Sequence, residues 1–391
     1  MMAKSDAENA LNEMETNLEE IFNSILKRID DESIGFESPI IDRAIKWLLG
    51  FKDPSGGFTN EGENIPSPAS SAYVLLALSS SGYKYKNEIA SIINYLKSTQ
   101  NSDGSWSYYA GSEGSIGVTS LVLKALNRAG FAGIDIYLKG EKYLIESVRK
   151  LLNSEQTELN ISRLSLALIA VGKHFKSIKN DILKWFENGM NPNFSFGLPP
   201  EGDAEVTSTV YAALKNVGID NHMTMGMLSY IFGMQSKIGL FRPNNKTEER
   251  VDTTAYIILQ LIWSGYDIIS DERIIKALSS MIQFMNDDGG FPDYAGDISD
   301  VETTALVITV LSLSGFAKVI KIPILRKMIT NSKKNAMELY KSAENVIINE
   351  LTSYRNKIST LEEKVKFWKA VAGALGSILI AVISILVEIM F

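Results

Sequence analysis

The hydrophobic positions of this chain fall into a two-part pattern that recurs. A segment with apolar residues at three- and four-residue steps comes first, then a glycine–aromatic turn, a short polar loop, and a second segment apolar nearly throughout. Residues 287–316, DDGGFPDYAGDISDVETTALVITVLSLSGF, show the turn and the second segment most completely. Gly289-Gly290-Phe291 opens this stretch, Glu302-Thr303-Thr304 starts an apolar helix, and Gly315-Phe316 closes it. Aligned on the closing glycine, the copies end at Gly82, Gly130, Gly172, Gly218, Gly265 and Gly315, at intervals of 48, 42, 46, 47 and 50 residues. Each interval has room for two helices of about 12–15 residues plus turns, which is a helical-repeat period.

The first helices are predicted over 41–51, 88–100, 142–152, 178–188, 223–235 and 272–285, and their charges place them outside. The second helices centre on 73–78, 121–126, 164–171, 210–214, 256–263 and 306–313. A helix apolar on all sides is buried, so the pattern predicts an all-α ring of six inner helices within six outer ones. An open solenoid is the competing arrangement. Gly56-Gly57-Phe58, Gly104-Ser105-Trp106, Ser195-Phe196-Gly197 and Gly239-Leu240-Phe241 repeat the turn. Eleven residues before each closing glycine stand Ser71, Thr119, Ile161, Thr207, Thr254 and Thr304. A hydroxyl there is expected to cap the inner helix by accepting from a free backbone N–H. Ile161, and the lack of a clear turn near 155–159, mark the third copy as degenerate.

The two ends do not repeat. Residues 1–38 contain an acidic amphipathic helix over 7–29, and residues 324–369 a long coiled-coil-like helix with a heptad-like ladder from Ala336 to Trp368. Residues 370–391 carry one charge, Glu388, and are long enough to span about 30 Å of hydrocarbon as a single transmembrane helix. Lys364, Lys366 and Lys369 precede that span and favour the ring, residues 39–320, on the cytoplasmic side of a membrane. Self-association through 336–368 is a further expectation.

Composition narrows the chemistry. With no cysteine, disulfides, thiolate zinc sites and cysteine nucleophiles are excluded, and two histidines cannot build a histidine-rich metal site. His174 and His222 are expected at the surface. The net charge of -7 resides in residues 1–38, and the remainder is neutral, which argues against a nucleic-acid partner.

The stretch 95–106, YLKSTQNSDGSW, and Gln235 followed by Gly239-Leu240-Phe241, resemble the prenyltransferase/squalene-oxidase repeat of squalene–hopene cyclases and protein prenyltransferase β subunits. Asp287-Asp288-Gly289-Gly290-Phe291 is a third match without the glutamine. The resemblance spans about residues 39–316 and implies an α/α toroid. It does not extend protein prenyltransferase activity to this chain, because that family's zinc site includes a cysteine. In the protonation-initiated cyclases the resemblance points to, an Asp-x-Asp-Asp-Thr-Ala motif opens an inner helix and its middle Asp is the acid. Asp300-Val301-Glu302-Thr303-Thr304-Ala305 matches in outline, with Glu302 on the middle acid and Thr303 in place of the last. Arg250-Val251-Asp252-Thr253-Thr254-Ala255 keeps only Asp252 and the Thr-Ala pair.

Glu302, Asp300 and Asp252 are therefore the candidate catalytic acids. Glu205, Asp252 and Glu302 share one register, so the same residues also read as a repeated helix start, where a carboxylate suits the helix dipole. With Asp203 and Asp300 they should gather at one mouth of the toroid, where carboxylates could bind Mg²⁺ or stay solvated; no metal or other cofactor is assigned. Tyr73, Tyr211, Tyr256 and Trp263 are the candidate lining of an apolar cavity for an isoprenoid or other lipid ligand. Two functions follow. One is a membrane-tethered, non-catalytic binding module for an apolar ligand or a protein segment. The alternative is an isoprenoid or terpenoid cyclase, an isomerase, with Asp252 or Glu302 as general acid. The second predicts a closed, aromatic-lined cavity with an acid at its top.

Overall fold

A computed structural model of the protein describes residues 36–37, 39–82, 85–316 and 319–320, together with Thr16, Lys334, Glu338 and Lys341. The chain divides into two units, residues 40–318 and residues 1–39 with 319–391. In the second unit, strand β1 (Phe36–Glu37) pairs antiparallel with a strand at Val319–Ile320, Phe36 opposite Ile320. The predicted helix 7–29, apart from helical Thr16, lies outside the described residues. So do the long helix 324–369, apart from three helical positions, and the apolar span 370–391. Among the described residues no helix is long and apolar enough to cross a membrane.

In the first unit, helices alternate between an outer and an inner layer. In chain order they are α1 (Pro39–Leu48), α2 (Pro68–Ser81), α3 (Lys86–Ser98), α4 (Ile116–Arg128), α5 (Asp135–Leu151), α6 (Glu158–Val171), α7 (Lys179–Glu187), α8 (Ala204–Asn216), α9 (His222–Gly233), α10 (Val251–Trp263), α11 (Glu272–Ile282) and α12 (Val301–Leu311). The even-numbered helices are inner. Burial separates the layers: α12 buries ten of its 11 residues, whereas α3 buries only Ile92, Tyr95 and Leu96. Each inner helix packs on the next, and α12 returns to pack on α2. The ring is closed, which excludes the open solenoid. Inner helices run in parallel and in register, since Thr253, Tyr256 and Trp263 of α10 bond Glu205, Thr209 and Asn216 of α8 in that order.

Contacts between the first and last copies fasten the closure. Trp47 of α1 donates from its indole nitrogen to Asp288 (2.9 Å), and Arg43 donates to the Asp287 carbonyl. The Val301 N–H donates to the Asn60 side chain at 3.2 Å, and Ser70 donates to Glu302 at 2.8 Å.

The turn aromatics Phe58, Trp106, Phe196, Phe241 and Phe291 are fully buried. Each pairs as a short antiparallel bridge with the residue preceding an inner helix, Ser67, Ser115, Asp203, Arg250 and Asp300; in the last copy the pairing extends to strands β2 (Phe291–Pro292) and β3 (Ser299–Asp300). Here the repeated hydroxyls have a different task from the one expected. The backbone N–H of each aromatic donates to Ser71, Thr119, Thr207, Thr254 or Thr304 at 2.8–2.9 Å. These hydroxyls lie four residues inside the helix, beyond reach of its free N–H groups, and clamp the turn instead. True capping falls to Ser67, Ser115, Thr157, Asp203 and Asp300, each accepting from an N–H of the first turn.

The closing glycines hold as predicted with one exception. Gly82, Gly130, Gly218, Gly265 and Gly315 have φ between 79° and 123°, the region that favours glycine at a helix end. Gly172 has φ −55°, and the chain continues as a 3-10 segment, Gly172–Ile178. What Gly172 supplies is close approach: a Cβ there would meet Val217 and Asn216 at 3.2–3.3 Å. The degenerate third copy thus keeps its glycine for packing. Helix α5 begins at Asp135, seven residues before the predicted start, and the other outer helices end one to three residues short of prediction.

Candidate active site

Because the inner helices are parallel, their N-terminal ends meet at one mouth. Glu205, Asp252, Asp293, Asp300 and Glu302, with Asn60, line a polar cavity of about 280 Å³ there. Below it lies a second cavity of about 230 Å³ with mainly apolar walls, including Tyr73, Leu121, Leu166, Ile169, Leu259 and Trp263. Tyr256 and Glu302 line both. Three of the four predicted lining residues, Tyr73, Tyr256 and Trp263, are in place; Tyr211 lines neither cavity, and its hydroxyl turns to Ser264. Of the five acids expected at the mouth, Asp203 is absent from the lining because its carboxylate caps α8. Both histidines are exposed, His174 beside Glu141 at 3.0 Å.

The acids differ in environment. Asp252 is held by Arg250, whose Nε and Nη2 donate to its two oxygens at 2.8 and 2.6 Å. Both oxygens are committed as acceptors from one guanidinium. Arg250 also reaches Asp293 at 3.1 Å. Asp300 caps α12 through the Thr303 N–H at 2.8 Å. Thr303, standing where the cyclase motif has its last acid, donates to Asp293 at 2.5 Å. A carboxylate therefore occupies that neighbourhood from the preceding loop.

Glu302 and Glu205 accept no hydrogen bond from a guanidinium; hydroxyl groups hold them instead. Burial pushes the Glu302 carboxyl above its ordinary range, opposed chiefly by hydrogen bonds from Ser70 (2.8 Å) and Tyr108 (3.3 Å), while Asp300 adds to the rise. Burial pushes Glu205 up to about 7 against the Thr253 hydroxyl, which donates to it from α10. Both sit in the first turn of an inner helix, yet their side-chain hydrogen bonds come from other copies of the repeat. The helix-start reading accounts for their register and not for these links. Burial also pushes the Tyr73 phenol well up, and Tyr256 to about 12, so both rings face the cavity neutral. Among the described residues, no three His, Asp or Glu side chains are placed to share a metal ion.

Sequence reasoning missed Arg250, Asp293 and Tyr108. Arg250 precedes Asp252 by two residues and could have been read as its partner. Nothing in the linear pattern brings Tyr108 of the second copy to Glu302 of the sixth, a contact that needs the closed ring.

Six inner helices around a cavity with a polar mouth define an α/α toroid with an internal site. The chain belongs to the prenyltransferase alpha-alpha toroid domain family, whose model matches residues 24–157 and 140–339. No curated protein matches it by sequence. Among solved structures, it resembles the type II terpene cyclase MstE from Scytonema in complex with its substrate geranylgeranyl dihydroxybenzoate. The identity is 11%, over 77% of this chain and 99% of that one, with a TM-score of 0.53. It also resembles a protein from Actinoplanes (15%; 70% and 98%; TM-score 0.52) and a novel alpha-amylase from Clostridium perfringens (13%; 70% and 97%; TM-score 0.50). At these identities the likeness shows the fold, a terpenoid-cyclase-like toroid, and a fold hosts more than one chemistry.

Proposed function

We propose that the protein is an isoprenoid cyclase of the protonation-initiated type, with Glu302 as the general acid. The observation that carries this reading is the position of Glu302, which lines the acidic mouth and the apolar, aromatic-walled cavity together. Burial keeps its proton on at higher pH than an exposed carboxyl would allow. Once the proton leaves, the Ser70 and Tyr108 hydroxyls already point at the carboxylate that remains. The π electrons of an alkene at the top of the cavity take the Glu302 proton, and the carbocation so formed is attacked by the next double bond. Tyr73 and Tyr256 line the cavity with Glu302, and an aromatic ring attracts such a cation by about 0.5–2 kcal/mol. Loss of a proton from carbon ends the sequence, and Glu302 regains one from the mouth. Asp252 is replaced in the acid role by Glu302 because Arg250 occupies both its oxygens. The structural relatives add support through MstE, a terpene cyclase on the same fold. Neither the geometry nor the comparisons favour a non-catalytic module over this reading.

The test is mass spectrometry of lipids that co-purify with the full-length, detergent-solubilised protein, wild type against Glu302→Gln. A cyclised isoprenoid in the wild type, replaced by its open-chain precursor in the variant, is the expected result. An identical open chain in both would mean binding without catalysis and would sink the proposal.

A further inference from the structure

The lower end of the apolar cavity holds polar groups that the cyclase chemistry does not use. Lys124 of α4, Ser120 one turn before it, and Gln260 of α10 all line this cavity. Gln260 is fully buried, and neither its amide nitrogen nor its amide oxygen has a partner. The Ser120 hydroxyl is buried and unpartnered as well. Lys124 has no carboxylate partner among the described residues; its ammonium lies 4.8 Å from the ring centroid of Trp263. Helices α4 and α10 are second and fifth in the ring of six, so this contact crosses its centre. Burial alone draws the Lys124 ammonium down to about 8.

Unpartnered polar groups in an apolar enclosure are costly, and a fully buried amide with both ends free is rare. Three of them converging on one cavity are explained by a ligand group that pairs with them. The set is one cation and a hydroxyl and amide able to donate, which complements an oxyanion. We infer that Lys124, Gln260 and Ser120 form an anchor for the anionic head group, carboxylate or phosphate, of the isoprenoid that occupies the cavity. This rests on the cavity being an isoprenoid site, and it sets the direction of binding. The head lies at the C-terminal end of the inner helices, and the tail reaches Glu302. Lys124 and Gln260 are the ninth and tenth residues of their helices and Glu302 the second of its own. At a rise of 1.5 Å per residue, the head anchor lies about 10–12 Å below the acid along the ring axis.

The experiment is calorimetric titration of the full-length protein with farnesoic acid, farnesyl monophosphate and neutral farnesol. Wild type is expected to bind at least one anionic probe about tenfold or more tightly than farnesol, the scale of a charge-assisted hydrogen bond. Lys124→Met and Gln260→Leu should each reduce that preference while leaving farnesol affinity within about twofold. Preference for only one anionic probe supports the anchor and names the head group. Because Gln260→Leu deletes a buried amide that has no protein partner, its melting temperature should be unchanged or higher. Equal affinity for all three probes in the wild type, no binding of any, or a preference that survives in Lys124→Met overturns the inference. Glu302→Gln should retain the preference, so loss of the cyclase reading and loss of the anchor are separate outcomes.

Discussion

Glu205 makes the stability of the toroid depend on pH in a direction opposite to that of an ordinary salt-bridged acid. Its carboxyl is pushed from 4.5 up to about 7 in the folded protein, first by burial at the mouth. In the unfolded chain it returns to its ordinary value. The folded state therefore holds the proton more tightly. The associated stability is fully present below about 4.5 and is lost as pH rises through about 7. At about 1.4 kcal/mol per tenfold change in proton affinity, and allowing for solvent at the mouth, the loss is about 2–3 kcal/mol. Glu205→Gln isolates this contribution, because its amide oxygen can still accept from Thr253 and cannot ionise. In urea unfolding of the full-length chain followed by tryptophan fluorescence, the variant should differ from wild type by less than about 1 kcal/mol at pH 5. At pH 8 it should be more stable by about 2–3 kcal/mol. A difference between the two proteins that is the same at both pH values would refute the reasoning, as would a variant less stable than wild type at pH 8.

Other expectations follow from the turn and its clamp. Thr254→Val removes the hydroxyl that accepts from the Phe241 N–H at 2.8 Å and leaves that buried N–H unpaired. The cost should be about 1–3 kcal/mol in the same unfolding assay. Thr254→Ser should recover most of it, and equal losses in the two variants would count against the clamp. Gly290→Ala places a Cβ within 2.5 Å of the Ser299 Cβ and within 2.9 Å of the Trp47 ring, where the last copy meets the first. It should destabilise by about 1–3 kcal/mol, read as a lower urea midpoint.

The repeat and the two helix layers were legible in the linear pattern, because closing glycines at near-constant intervals and a contrast in apolar content are local signals. Whether the ring closed was not local. It rests on contacts such as Ser70 with Glu302, 232 residues apart. The hydroxyl series shows how a correct spacing can carry an incorrect role: Thr254 stands in register with its equivalents, but its partner lies 13 residues back in the turn. The acid mouth could be placed from register alone, whereas the division of labour within it could not, since Arg250 decides it for Asp252. Lys124 and Gln260 were passed over inside segments read as apolar throughout. A charge at position four of the run 121–126, LVLKAL, was the available sign that the interior had a polar end.

The clasp between Trp47 and Asp288, with α12 returning to α2, bears on how such a chain can change over time. A linear stack of repeats tolerates the gain or loss of a unit at either end. This structure has no end at which to do so. Removing one helix pair would change the curvature demanded of the five that remain, and inserting one would open the seam. The count is therefore fixed by geometry, which gives a reason for the third copy to persist after its turn motif has decayed. It holds a place in the circle that no neighbour can fill.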